Sequence, residues 1–233
     1  MDEPENSPDQ VPGVPRRKTD PDQLYARWVE HIETIANDVY SLFHQKHMWA
    51  ELQQMIRAAE LPPSVFFESL GAWYASDSKT VAIRRLVDRS AGTISVVRLL
   101  GEIANHSTVV TRERHVALWR DAPWLDQQAH ENYDRFADRT GDRLDRTLVR
   151  ADQAAVTENV RVIETYVNDH VAHRAERPSA VRPTYQQMNE AIEAIAEVLR
   201  KYASLLRATA LVEMEPIIQD DWQAPFRRPW LTA

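Results

Sequence analysis

The segment Tyr166-Val167-Asn168-Asp169-His170-Val171-Ala172-His173-Arg174 gathers side chains that can move a proton or hold a charge. Imidazole titrates near neutral pH, so two histidines beside a carboxylate can transfer protons, bind a metal or serve as fixed hydrogen-bonding groups. On a helix, Val160, Ile163, Val167 and Val171 fall on one side as an apolar seam, while Tyr166, Asp169, His170 and His173 share the neighbouring side. One face packs and the other is presented. A second pair three residues apart, His44 and His47, lies on the first apolar-periodic stretch. Facing helices with such pairs would offer four imidazoles to a metal. Bundle metal sites add carboxylates from the helix interiors, and no Glu-x-x-His pairing accompanies these histidines. The expectation is no metal and no cofactor, with His44 and His47 solvated or hydrogen-bonded between helices. The sequence has no Gly-rich phosphate loop, no His-Glu-x-x-His and no Gly-x-Ser-x-Gly, which removes the commonest NTPase, zinc-protease and hydrolase readings.

The elements that must position this segment are helices. Asp20-Pro21-Asp22-Gln23 reads as a helix start, with Asp20 as N-cap, Pro21 at the first helical position and Gln23 completing a capping-box-like pair. Leu24, Trp28, Ile32, Ile35, Val39, Leu42, Trp49, Leu52 and Ile56 then recur at helical spacing until Leu61-Pro62-Pro63 stops the run. A short helix carries Val65, Phe66, Phe67, Leu70, Trp73 and Tyr74. Asp77-Ser78 is expected to cap the next, with Val81, Ile83, Leu86 and Val87 buried. Gly92-Thr93 breaks and recaps the chain before Ile94, Val97, Leu99, Leu100 and Ile103. Further helices are predicted from about Thr111 to Trp119 and from Pro123 to about Thr140. Asp142 is the expected cap of the long helix through Leu144, Leu148 and Val156 that ends in the histidine segment. After the loop holding Pro178 and Pro183, Thr184-Tyr185-Gln186-Gln187 is a capping box for a last helix to about Thr209.

Five glycines and no useful apolar–polar alternation leave no need for a strand. The expected fold is all-α, an antiparallel helical bundle with long first and C-terminal helices and short inserted ones. Residues 1–19, rich in Pro, Asp, Glu and Asn, read as a disordered arm. Residues 211–233 carry Trp222, Phe226 and Trp230 among prolines and read as a tail clamped across a groove, with partner binding as the alternative.

A formal charge of -7 over 233 residues disfavours non-specific polyanion binding, although a local basic patch can override that average. The chain lacks cysteine, which excludes disulfides and thiolate chemistry and fits a reducing compartment. Met1-Asp2-Glu3-Pro4 does not begin a secretory signal, and no apolar stretch approaches the roughly 20 residues of a membrane span. A cytoplasmic protein without membrane contact is expected.

Three segments together, residues 166–174, Asp77 to Asp88 and Ser95 to Leu100, resemble the AbiU-like branch of the HEPN superfamily, helical proteins of abortive infection and toxin–antitoxin conflict. The likeness covers roughly residues 20–210. It implies a HEPN-type bundle, commonly a homodimer, with RNA as substrate and an antitoxin or other protein as partner. Active members are metal-independent endoribonucleases with an Arg-x(4–6)-His motif, often with a polar residue just after the arginine. His173 matches the motif histidine, with His170 assisting, and Asn168 or Asp169 matches the polar position. The arginine has no match: the allowed positions before His173 hold Tyr166, Val167 and Asn168, and those before His170 hold Ile163, Glu164 and Thr165. Arg174 follows the histidine and is the nearest substitute in sequence, and Asp169 would repel phosphate. The resemblance therefore implies either an endoribonuclease with a rearranged cation or a non-catalytic dimerising or scaffold protein of the same family. Independently of any family, histidines near a helix C-terminus are favoured by its dipole and can form a polar seam with no catalytic task.

Overall fold

The computed structural model describes residues 20–60, 64–172, 175–177, 179–211, 214 and 218–227. Residues 1–19 and the histidine-segment residues His173 and Arg174 lie outside the described residues. Helix α1, Pro21–Ala58, starts where Asp20 accepts from the Asp22 N–H at 3.0 Å. Gln23 makes no reciprocal bond, so the cap is a simple one rather than the box expected from sequence. Leu24, Trp28, Ile32, Ile35, Val39, Leu42 and Phe43 are buried, whereas Trp49, Leu52 and Ile56 are only half-buried. At 1.5 Å per residue α1 runs roughly 57 Å and outreaches the core it helps to form.

Helix α2, Val65–Trp73, passes into α3, Thr80–Leu86, through a π-helical segment, Tyr74–Lys79, and no side-chain cap opens α3. The break expected at Asp77-Ser78 is therefore absent. Wider winding brings residues five apart onto one side, and the Lys79 ammonium sits 5.5 Å from the Tyr74 ring centre. Tyr74 in turn stacks on Trp49 of α1 at 4.8 Å. Burial of both ends of the segment outweighs the local tendency of Asp and Ser to start a new helix. Val81 stays exposed, and Ile83, Leu86 and Val87 are buried.

Gly92 adopts φ 83°, the left-handed turn that lets the chain reverse. Ser95, rather than Thr93, then caps α4, Val96–Asn105, accepting from the Arg98 N–H at 3.2 Å. Ile94 precedes that cap and is exposed. Helix α5, Arg112–Ala117, is capped by Thr111 and stops before Trp119; α6, Asp126–Asp134, follows a 3-10 turn at Pro123–Leu125. Isolated bridges pair Thr111 with Arg143 and Ala137 with Leu144. They commit Arg143 and Leu144 to extended backbone, so Asp142 comes too early to cap α7. Asp145 takes that place, accepting from Thr147 N at 2.7 Å at the start of Arg146–Tyr166. Val149 is buried in α7, whereas Leu148 is exposed.

Helix α8, Tyr185–Arg207, has the capping box read from sequence, with Thr184 and Gln187 bonded reciprocally. It ends on Ala208 at φ 51°. Helix α7 packs between α4 and α8, α8 also lies along α1, and α3 covers α7. Trp28, Ile103, Val160, Ile163, Ile195, Leu199 and Tyr202 fill the shared interior. The fold is all-α; no described helix is long and apolar enough to cross a membrane. Trp222 and Gln223 donate to the Glu51 carboxylate of α1 at 3.1 and 2.9 Å, which sets residues 218–227 against the far half of that helix.

Candidate functional site at the end of helix α7

After Tyr166, α7 widens into a second π-helical segment, Val167–Ala172, which packs against the first. Val160, Ile163 and Val167 are buried and Val171 partly so, which fixes the apolar seam to the core. The opposite requirement falls on Asn168, Asp169 and His170, which remain exposed or half-buried. Single π turns often mark functional sites because the extra residue re-aims side chains without ending the helix.

Two consecutive side chains grip one residue of the following loop. The Asp169 carboxylate accepts from Ser179 N–H at 3.0 Å, and His170 Nε2 lies 2.8 Å from the Ser179 carbonyl oxygen. A carbonyl only accepts, so Nε2 carries the proton, and in the neutral ring Nδ1 holds the lone pair. The Asp169 carbonyl also receives the Ala175 N–H at 3.1 Å. The Tyr166 ring lies 5.2 Å from the imidazole of His170, with the Arg182 guanidinium 5.1 Å from the Tyr166 ring centre.

A cation reaches this corner from α3. Arg84 Nε donates to Asn168 Oδ1 at 3.4 Å. Its guanidinium also lies 3.6 Å from Asp88 and 3.8 Å from Glu164, and its buried Nη1 makes no hydrogen bond. Arg89 holds Glu164 with two bonds, at 3.0 and 3.3 Å. The Asp88 carboxyl is held below the usual carboxylate range, first by hydrogen bonds from Ser90 and then by the charge of Arg84. On its α3 side the corner therefore sets two guanidinium groups, Arg84 and Arg89, against two carboxylates, Asp88 and Glu164.

Of the residues singled out from sequence, Asn168, Asp169 and His170 come together here. His47 instead lies 3.1 Å from Glu51 on α1 itself. Among the described residues no three His, Asp or Glu side chains converge as metal ligands do. Sequence reasoning missed Arg84, Ser179 and Arg182. Arg84 sits between buried Ile83 and Leu86, but nothing local says which helix it will meet. Comparison with known proteins returns no match among family models, curated proteins or solved structures.

Proposed function

We propose that the chain is a HEPN-type helical protein of the AbiU-like branch that cuts RNA by metal-independent acid–base catalysis at the end of α7, in a defence or toxin–antitoxin setting. The observation that carries the reading is the bond from His170 to the Ser179 carbonyl. It orients the imidazole and leaves Nδ1 as the basic nitrogen, the arrangement in which a third group positions a general base. In the proposed reaction one imidazole of the His170/His173 pair takes the proton of a ribose 2′-hydroxyl. The 2′-oxygen bonds to the adjacent phosphorus, the bond to the 5′-oxygen breaks, and the second imidazole protonates that leaving oxygen. Arg84, beside Asn168, takes the place of the cation that the sequence motif lacks, although it shares its charge with Asp88 and Glu164, with Arg174 as a second source. Preorganised donors of this kind are worth orders of magnitude in rate where charge develops on phosphate. The Ser179 N–H holds one oxygen of the Asp169 carboxylate without removing its charge, so the cation at this site also has to offset Asp169. A homodimer and a protein antitoxin belong to this reading as expectations of the family.

The test is cleavage of labelled RNA by the purified full chain in EDTA. His170→Ala and His173→Ala are each expected to lower the rate by about 10²-fold or more while the circular dichroism is unchanged. Undiminished cleavage in the double variant overturns the assignment. A second reading rests on the same two bonds: Asp169 and His170 clamp the α7–α8 connection, and the protein is a non-catalytic scaffold of the same family. That reading expects no cleavage by any variant and a lowered melting temperature for His170→Ala.

A further inference from the structure

An open groove of about 710 Å³ runs between α4 and α7. Its floor is Gly101, where an added Cβ would stand 3.0 Å from Gln153 Nε2 and 3.9 Å from Arg150 Nη1. Over that floor one guanidinium is fixed by neutral groups alone. Arg150 donates from Nη1 to Gln153 Oε1 at 2.8 Å and from Nη2 to Asn105 Oδ1 at 2.6 Å. Gln153 is itself anchored, its Nε2 donating to the Val97 carbonyl at 2.7 Å. No described carboxylate lies within ion-pairing distance of Arg150. The two acidic residues of the groove are already engaged. Glu102 receives both Arg27 and Arg98, at 2.8 and 3.4 Å, with the Trp28 N–H at 3.1 Å, and Glu158 faces Arg161 at 3.1 Å. The groove thus has an excess of positive charge in a chain whose formal charge is -7.

The groove also leads to the corner described above. Arg89 lines it and holds Glu164; Glu164 lies beside Arg84, and Arg84 reaches Asn168. We propose that the α4–α7 groove is the path of the RNA strand, with Arg150 as its fixed phosphate contact and Arg98 and Arg89 following toward the end of α7. This rests on the RNA reading and adds where the substrate lies. Arginine suits the task because its planar fork binds phosphate oxygens in pairs, and the two amides holding Arg150 reduce the rotamer freedom lost on binding. No described aromatic side chain lines the groove, so it grips phosphates rather than stacked bases. The expected recognition tolerates any sequence and weakens steeply with salt.

The test uses the full chain and a short fluorescein-labelled single strand of 2′-O-methyl RNA, which lacks the attacking hydroxyl, with anisotropy read across a salt series. Arg150→Gln is expected to weaken binding several-fold and to reduce the slope of log affinity against log salt by about 0.7, one phosphate contact on a single strand. Arg150→Lys should regain most of the slope and less of the affinity. Gly101→Ala, which displaces the Gln153 amide, should weaken binding in the same sense. Arg57→Gln, on the distant end of α1, should match the parent chain. Parent-like affinity and slope in Arg150→Gln overturn the groove assignment, even if unmodified RNA is still cut. Conversely, a strand that binds through Arg150 but is never cut when carrying its 2′-hydroxyls leaves the groove standing and defeats the catalytic reading.

Discussion

Lys79 is 2% exposed, and its ammonium is held by the Asn189 side-chain oxygen and the face of Tyr74. Burial first, and then the charge of Lys46, bring its pKa down to about 8. An unfolded chain keeps that proton up to about 10.4, so between these values the unfolded state binds more protons and stability rises with pH. The full swing is on the order of 3 kcal/mol. Urea unfolding of the parent chain and Lys79→Met at pH 7 and pH 10 should show the parent gaining on the variant as pH rises; a constant difference contradicts the argument. His115 is the acid-side counterpart. It is 1% exposed and its Nδ1 donates to the Leu205 carbonyl, while burial pushes its pKa down. At this scale the sequence disclosed Asp169 and His170, because chemistry-bearing residue types at helical spacing are visible in one dimension. It hid Arg84 and Ser179, whose roles exist only once α3 and the α7–α8 loop are placed.

Helix ends show where local rules suffice and where they yield. Thr184 and Gln187 form the box that their spacing announces, since every atom involved lies within four residues. The start of α7 was misplaced by three positions because the Ala137–Leu144 bridge, a tertiary feature, uses the residues just before it. Asp145→Ala should therefore cost about 1 kcal/mol of stability in chemical denaturation. Asp142→Ala should cost only a few tenths; equal losses would place the cap wrongly. The π-helical segments were invisible for a different reason. Their apolar residues satisfy an α-helical period almost as well, and only the packing of Tyr74 on Trp49 and of Val167 in the core separates the two windings.

Across the whole molecule, scarcity of glycine and sustained apolar periodicity were enough to read an all-α fold. The average charge was a poorer guide, because it conceals the excess of arginine between α4 and α7. Nor did the periodicity of α1 disclose that its second half projects past the core and is met there by Trp222 and Gln223. One carboxylate, Glu51, accepts both of those donors and faces His47 as well. Glu51→Ala should loosen this attachment, so limited proteolysis of the variant is expected to cut within 218–227 faster than in the parent chain. Equal cutting rates would mean that Glu51 does not secure the segment.

The second π-helical segment has an evolutionary corollary. Removing one residue from it would restore ordinary winding and, because the wide turn already absorbs that residue, leave the chain on either side in nearly the same register. A relative shortened by that single position would keep the flanking turns in place and re-aim only the side chains inside the segment, Asp169 and His170 among them. Substitution scans of 167–172 would miss this, whereas a one-residue deletion would expose it.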